Sequence, residues 1–357
     1  MIRRSLAAHV LFTLFALAIV LVPSAGAYAS APQIAVAGQQ GQAEDMSGTP
    51  EAQILREVLQ TGAAHEDFAR KSRTNFFPAP DGNTFMMLVF EVDQGGLTFA
   101  AAPPPAQAVP AEGEAAAPPV AAGDVASLKA YGAVTTQGPE GQLEIVHQFM
   151  SPFTIPADGG DGSFTDTHSV GMTVVPGTYS LTWGVIEAGT NLANVTTEVI
   201  EVPSYTTGEM KMTSVFVSSA SEPQSDPYRP NTVYDGVRMG NIVFFDDLDR
   251  LVPRDAMIEV IYVIMGTQQD PTTMRPKIEI NYRILLDDPE AEEEQSVARF
   301  PTQTLETFSV GQPLPLSQIQ NLEAGKSYIL EIQAKDTVSE QQLIKRISFS
   351  LLPEEEG

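Results

Sequence analysis

Apolar and polar residues alternate with a period of two through most of this chain. Tyr179, Leu181, Trp183 and Val185 alternate with Ser180, Thr182 and Gly184, and Ile278, Ile280, Tyr282 and Ile284 with Glu279, Asn281 and Arg283. Tyr328, Leu330, Ile332 and Ala334 alternate in the same way with Ile329, Glu331, Gln333 and Lys335. Successive side chains of a strand point to opposite faces, so each stretch reads as a strand with one face on a core and one in water. Phe85–Val92 is apolar almost throughout and reads as a buried strand. From Ser127 onward such strands follow one another with turn signals every ~8–15 residues and no helical period among them. That is the pattern of an all-β protein built from sandwiches or barrels.

Two internal stretches depart from it. Residues 49–73 read as a helix: Thr49 is a cap, Pro50 suits the first turn, and Ile54, Leu55, Val58 and Leu59 share one face. Residues 100–123 collapse into Ala, Pro and Gly, including Pro103-Pro104-Pro105 and Pro118-Pro119. With no large apolar side chains to build a core, they read as an extended insertion in a loop between two strands, or as a proline-rich ligand for a partner.

The N-terminus has a different character. Arg3 and Arg4 precede the apolar run Val10–Val22, after which Pro23, Ser24 and the small residues up to Ala31 follow. A basic start, a short apolar core and a small-residue site predict a cleavable secretory signal peptide over 1–31, with the mature protein periplasmic or extracellular. The run falls short of the ~20 residues a spanning helix needs, so no membrane insertion is expected after cleavage. Residues 32–48, rich in Gln, Gly and Ala, read as a disordered leader.

A weak internal repeat sets the expected domain count. Val175-Pro176-Gly177-Thr178-Tyr179-Ser180-Leu181 matches Glu323-Ala324-Gly325-Lys326-Ser327-Tyr328-Ile329-Leu330 with one extra residue. In both, a Gly turn leads into a Tyr-x-Leu strand, then an acidic residue (Glu187, Asp336), then a last strand ending near a proline (Pro203, Pro353). The order resembles the later strands of immunoglobulin-like and fibronectin type III-like sandwiches, in which a tyrosine hydrogen-bonds back to the preceding connection. The resemblance implies two tandem sandwich domains, 76–205 and 206–354, with Tyr179 and Tyr328 as those tyrosines and Trp183 in the core. The segment Pro176–Tyr205, closing on Val202-Pro203-Ser204-Tyr205, is also similar to β-sandwich modules of bacterial exported proteins of the GWxTD and von Willebrand factor A-related groups. The Gly-Trp-x-Thr-Asp motif and the metal-binding Asp-x-Ser-x-Ser are missing, so no active-site residue carries over.

Composition narrows the functions. With 45 Asp and Glu against 20 Lys and Arg, the formal net charge is -25, which repels nucleic acid and anionic lipid surfaces. There is no cysteine, which excludes disulfides, thiolate metal sites and thiol catalysis. The mature chain has three histidines, His65, His147 and His168, at no metal-site spacing, and the chain lacks a G-x-S-x-G elbow and a phosphate-binding Gly-rich loop. Asp158, Asp161 and Asp166 crowd a Gly-rich loop of the oxygen-rich kind calcium favours, although an Asp-Gly hairpin turn explains the same residues. Asp246 and Asp249 form a second, weaker cation candidate. The run Asp287–Glu294 reads as a solvated hairpin tip, and Asn194-Val195-Thr196 fits a glycosylation sequon. The expectation is therefore an exported, non-catalytic binding, scaffold or envelope-interaction protein, with a protein or cell-envelope polysaccharide as partner and no cofactor. The alternatives are a carbohydrate-acting envelope hydrolase using an Asp/Glu pair, and a calcium-dependent adhesion or carbohydrate-binding module.

Overall fold

In a computed structural model the alternating stretches form antiparallel sheets; the structure describes residues 49–101, 124–140, 142–157, 166–245, 248–290 and 294–353. The expected signal peptide and leader, and residues 102–123, lie outside the described residues. The helix α1 (Pro50–Thr61) is capped by Thr49, whose Oγ1 accepts from the Ala52 N–H at 3.2 Å. Gly62 ends it in the left-handed conformation, φ 70°, where its N–H donates to the Val58 carbonyl at 2.8 Å.

The helix expected over 49–73 is thus too long. Past Gly62 the chain forms β1 (His65–Glu66) and β2 (Arg70–Pro78), and His65 pairs with Val195 in a sheet. The stretch Arg70–Pro78 carries no helical apolar stripe. Its gain comes from a nine-residue ladder, Arg70↔Val92 to Pro78↔Thr84, with a strand the local sequence cannot reveal.

The strands continue as β3 (Thr84–Val92), β4 (Ala100–Ala101), β5 (Asp124–Gln137), β6 (Leu143–Pro156), β7 (His168–Val174), β8 (Gly177–Glu187) and β9 (Ala193–Val202). Next come β10 (Lys211–Met212), β11 (Phe216–Ser218), β12 (Ala220–Pro223), β13 (Val233–Asp235), β14 (Val237–Met239), β15 (Ile242–Phe245) and β16 (Leu251–Val252). The last are β17 (Met257–Met265), β18 (Ile278–Leu286), β19 (Ser296–Arg299), β20 (Gln303–Leu305), β21 (Ser309–Pro315), β22 (Ser327–Asp336) and β23 (Gln342–Leu351). Ala100 pairs with Val125, so the Ala/Pro-rich stretch leaves and returns on hydrogen-bonded neighbours.

One sheet, β1-β9-β8-β5 with β4 and β6 also on β5, faces a second, β13-β7-β3-β2. Between them lies a core that includes Met86, Leu88, Phe90, Leu128, Leu181 and Trp183. Helix α1 covers the other face of the first sheet, setting Leu55 and Val58 against Tyr131, Ala133 and Ile186. Lys129 Nζ reaches the buried Glu51 carboxylate at 2.5 Å beside this contact.

A second sandwich packs β11-β17-β21, with β10 on β17, against β16-β23-β22-β18-β19, with β20 on β18. Its core includes Ile258, Val260, Ile280, Leu330, Ile332 and Phe349, and the Tyr262 and Tyr282 hydroxyls meet inside it at 2.6 Å.

The two sandwiches share a third core. Strand β3 is buried at every position: Met86, Leu88 and Phe90 face inward, and Phe85, Met87 and Val89 face outward. The outward set meets Phe216 of β11, Val237 of β14, Phe244 of β15 and Ile261 of β17. Phe77 of β2 stacks on Phe216 with ring centroids 5.3 Å apart and planes 17° apart. The chain also returns across the expected boundary at 205/206, since β13 pairs with β7 from Val233↔Val170 to Asp235↔His168.

The two halves of the repeat fold alike, β8 with β9 and β22 with β23, each as a long antiparallel hairpin. The Tyr328 hydroxyl accepts from the Glu323 N–H at 2.7 Å, which is the bond back to the preceding connection that the resemblance implies. Tyr179 instead packs against the first core, where Trp183 is fully buried.

Truncating Phe216 to Ala removes an aromatic face from the shared core, and Phe→Ala in a packed core costs about 3–5 kcal/mol. Denaturant titration of Phe216→Ala is expected to show a loss of this size, whereas a loss under about 1 kcal/mol would mean that the site collapses around the cavity.

Candidate functional site

Two concavities lie on the second sandwich, the smaller walled also by Phe76 of the first. The larger, about 770 Å³, sits at one end of it, where the residues before β19 meet the connection into β22. The Tyr328 bond to Glu323 fixes that connection, and the rim carries Gln295, Gln320, Asn321, Arg254 and Lys326 over Leu286 and Leu322. Glu323 is the one carboxylate among its described lining residues.

The smaller, about 360 Å³, is a groove on the open flank, between β10 on one sheet and β23 on the other. Its position follows from how the segment after β9 is tied down. The Tyr205 hydroxyl donates to the Phe76 carbonyl at 3.0 Å, the Thr84 hydroxyl to the Pro203 carbonyl at 2.5 Å, and Ser214 Oγ accepts from the Phe76 N–H at 3.0 Å. Burial pushes the Tyr205 phenol well above its ordinary range, so this anchor stays protonated. Met210, Met212, Leu343 and Ile344 give the groove an apolar lining, and Ile344 is 61% exposed.

Beside the groove, three strands put Arg283, Glu331 and Arg346 directly opposite one another. The inaccessible Glu331 carboxylate accepts from Arg283 Nε at 2.8 Å, from Arg346 Nε at 2.9 Å and from Gln333 Nε2 at 2.7 Å. Burial alone would raise its pKa, but these donors outweigh it and hold the carboxyl below its ordinary range. Arg346 also reaches Glu294 at 2.6 Å, so its charge is taken up on both sides.

Of the residues singled out by sequence, those that are described lie apart from one another. Asp158 and Asp161 lie outside the described residues, and Asp166 is exposed. Asp246 also lies outside them, while Asp249 pairs with Lys71. Among the described residues no group of three or more His, Asp or Glu side chains is arranged to hold a metal ion. His147 Nε2 lies 3.0 Å from Asn231 Oδ1. His168 is buried against the Phe90 and Phe153 rings, with Nδ1 3.2 Å from Asp235 Oδ1, and this contact holds the Asp235 carboxyl below its ordinary range. Asn194 of the sequon is buried, its amide donating to the Phe68 carbonyl at 2.7 Å and accepting from Arg70 Nε at 3.0 Å, which leaves it unable to carry a glycan. Among the described residues neither concavity is lined by two carboxylates.

Sequence reasoning missed the groove because its walls come from residues far apart in the chain. One signal was present: Leu343-Ile344 places two large apolar residues side by side in an alternating strand, so one of them must face out. No protein-family model matches this chain, and no curated protein matches it either.

Because the folded state holds Glu331 below its ordinary pKa, the network stabilises fully above about pH 4.5, and the gain is lost as pH falls through the folded value. Glu331→Gln is expected to cost about 1–3 kcal/mol at pH 7, less than a wholly buried pair because Arg346 is half-exposed. The gap between wild type and variant should close below pH 4 in thermal melts, and a gap independent of pH would refute the assignment.

Proposed function

We propose that this chain is an exported, non-catalytic binding or scaffold protein of the cell envelope, made of two immunoglobulin-like sandwich modules related to those of GWxTD and von Willebrand factor A-related exported proteins. The observation that carries the reading is the shared core around β3, Phe77 and Phe216, which locks two sandwiches into one frame with open concavities on its flank and end. A rigid frame of this kind suits recognition, because little ordering entropy is lost when a partner docks. The end concavity offers amide and cationic groups over an apolar floor, a lining suited to hydrogen-bonding a partner, and Glu323 is the one carboxylate among its described lining residues. The paired hairpins with their Tyr-x-Leu strands support the module type, and the basic, apolar and small-residue N-terminus supports export. No helix among the described residues is long and apolar enough to cross a membrane.

The test is to recover the protein from cells expressing the whole chain, determine its N-terminus by mass spectrometry, and sediment it with isolated envelope. An N-terminus between Ala27 and Gln33, with sedimentation on the envelope and no release of reducing sugar, is the expected result. Release of reducing ends would move the protein to the hydrolase class. A cytoplasmic chain with Met1 retained would remove the export reading.

A further inference from the structure

The flank groove lies against a strand edge that is open along most of its length. Strand β16 pairs with β23 only at Leu251↔Ser350 and Val252↔Leu351, and no other strand among the described residues pairs with the outer side of β23. The direction of its backbone groups follows from two bonds: the Ser350 N–H donates to the Arg250 carbonyl at 3.0 Å, and the Ser348 carbonyl accepts from Arg250 Nη1 at 3.2 Å, both away from β22. Backbone groups alternate sides along a strand, so the N–H and C=O of Ile344 and Arg346 also point outward. Ladder groups at an edge of this kind, next to an apolar trough, are the two elements of strand addition, in which main-chain bonds supply affinity and a pocket takes alternate side chains.

Charge selects the occupant. In a chain with 45 acidic and 20 basic residues, the described lining of the groove holds two lysines, Lys211 and Lys345, and no carboxylate. Lys345 has no ion-pair partner among the described residues, and Lys211 donates to the Ser204 carbonyl at 2.9 Å with Glu209 4.0 Å away. A second copy of this chain is the poorer occupant, because β23 carries Lys345 and Arg346 and no acidic residue to set against them. A polypeptide strand of alternating apolar and acidic residues meets both features: its acids face Lys211 and Lys345 on the groove side, and its apolar side chains lie on the opposite face beside the exposed Ile344. The docking geometry rests on the proposed binding role, which it makes specific. We infer that the open edge of β23, with the groove beside it, is a docking site for an extended apolar-acidic segment of a partner protein, which joins the sheet as an added strand.

The probe is a synthetic heptapeptide, Val-Glu-Val-Glu-Val-Asp-Val, and its control carries Lys at each acidic position. Both are titrated against the full mature chain by fluorescence anisotropy, with hydrogen exchange read at the Ile344 and Arg346 amides. The acidic peptide should bind at least tenfold more tightly than the basic one and protect both amides. The double variant Lys211→Glu/Lys345→Glu should reverse the preference, and Ile344→Asp should weaken binding at least tenfold with an unchanged melting temperature. Equal binding of the two peptides, or binding without amide protection, would overturn the inference. So would a concentration-dependent dimer in sedimentation that Ile344→Asp abolishes, because the edge would then belong to a second copy. Sedimentation of Ile344→Asp with isolated envelope separates this failure from that of the binding role. If the variant and wild type sediment alike while the peptide fails to bind, the groove assignment falls and the binding role stands.

Discussion

Strand β3 has no side that faces water, and both sandwiches are arranged around that fact. A strand with one wet face can be placed by alternation alone, but Thr84–Val92 is buried along its whole length and must be covered twice. One cover is the sheet containing Leu181 and Trp183, and the other is built from β11, β14, β15 and β17 of the second half. Burying a large apolar side chain contributes roughly 1.5–3 kcal/mol, so leaving Phe85, Met87 and Val89 exposed would sacrifice several such terms. Separating the two sandwiches would therefore expose core, which ordinary surface linkers between domains do not do.

The junction follows from this. Strand β13 crosses back to complete the sheet of β7 and β3, and Tyr205, Pro203 and Ser214 tie the connecting segment to the ends of β2 and β3. The segment then joins the second sandwich through β10 on β17, where Met210–Ser214 form one wall of the groove beside β23. The open side of the first sandwich is closed differently. Arg70 lays its guanidinium over the Trp183 ring at 3.6 Å and donates to Asn194 and to Thr196. Burial lowers its pKa to about 10, still well above neutrality, so the cation persists there.

Among the described residues five acids are buried and used as internal acceptors. Glu51 accepts from Lys129, Glu91 from the Thr167 hydroxyl and the Leu248 N–H, and Glu331 from its two arginines. Glu187 and Asp336, the acidic residues that end the Tyr-x-Leu strand in each repeat, are both buried and accept backbone N–H groups, from Thr98 in one case and from Gln268 and Val338 in the other. A buried carboxylate is tolerable only with such donors. These acids therefore read as structural acceptors, and the richness in Asp and Glu does not by itself mark a site.

Period-two alternation determined the strands at 179–185, 278–284 and 328–334, because which face of a strand is wet is a local property. The cap at Thr49 and the inward side of Trp183 were legible for the same reason, each depending on residues only a few positions away. The Tyr328 bond, by contrast, was expected from the sandwich resemblance alone, which implied the same bond at Tyr179. The end of the helix at Thr61 was signalled by Gly62, yet the strand Arg70–Pro78 was not, since its stability lies in a ladder with β3 and not in its own composition. The return of β13 to the first sandwich, the second cover on β3, and the groove between Tyr205 and Ile344 were decided by tertiary structure alone. Each joins residues distant in the chain, and contacts of that kind leave no periodic trace in a single sequence.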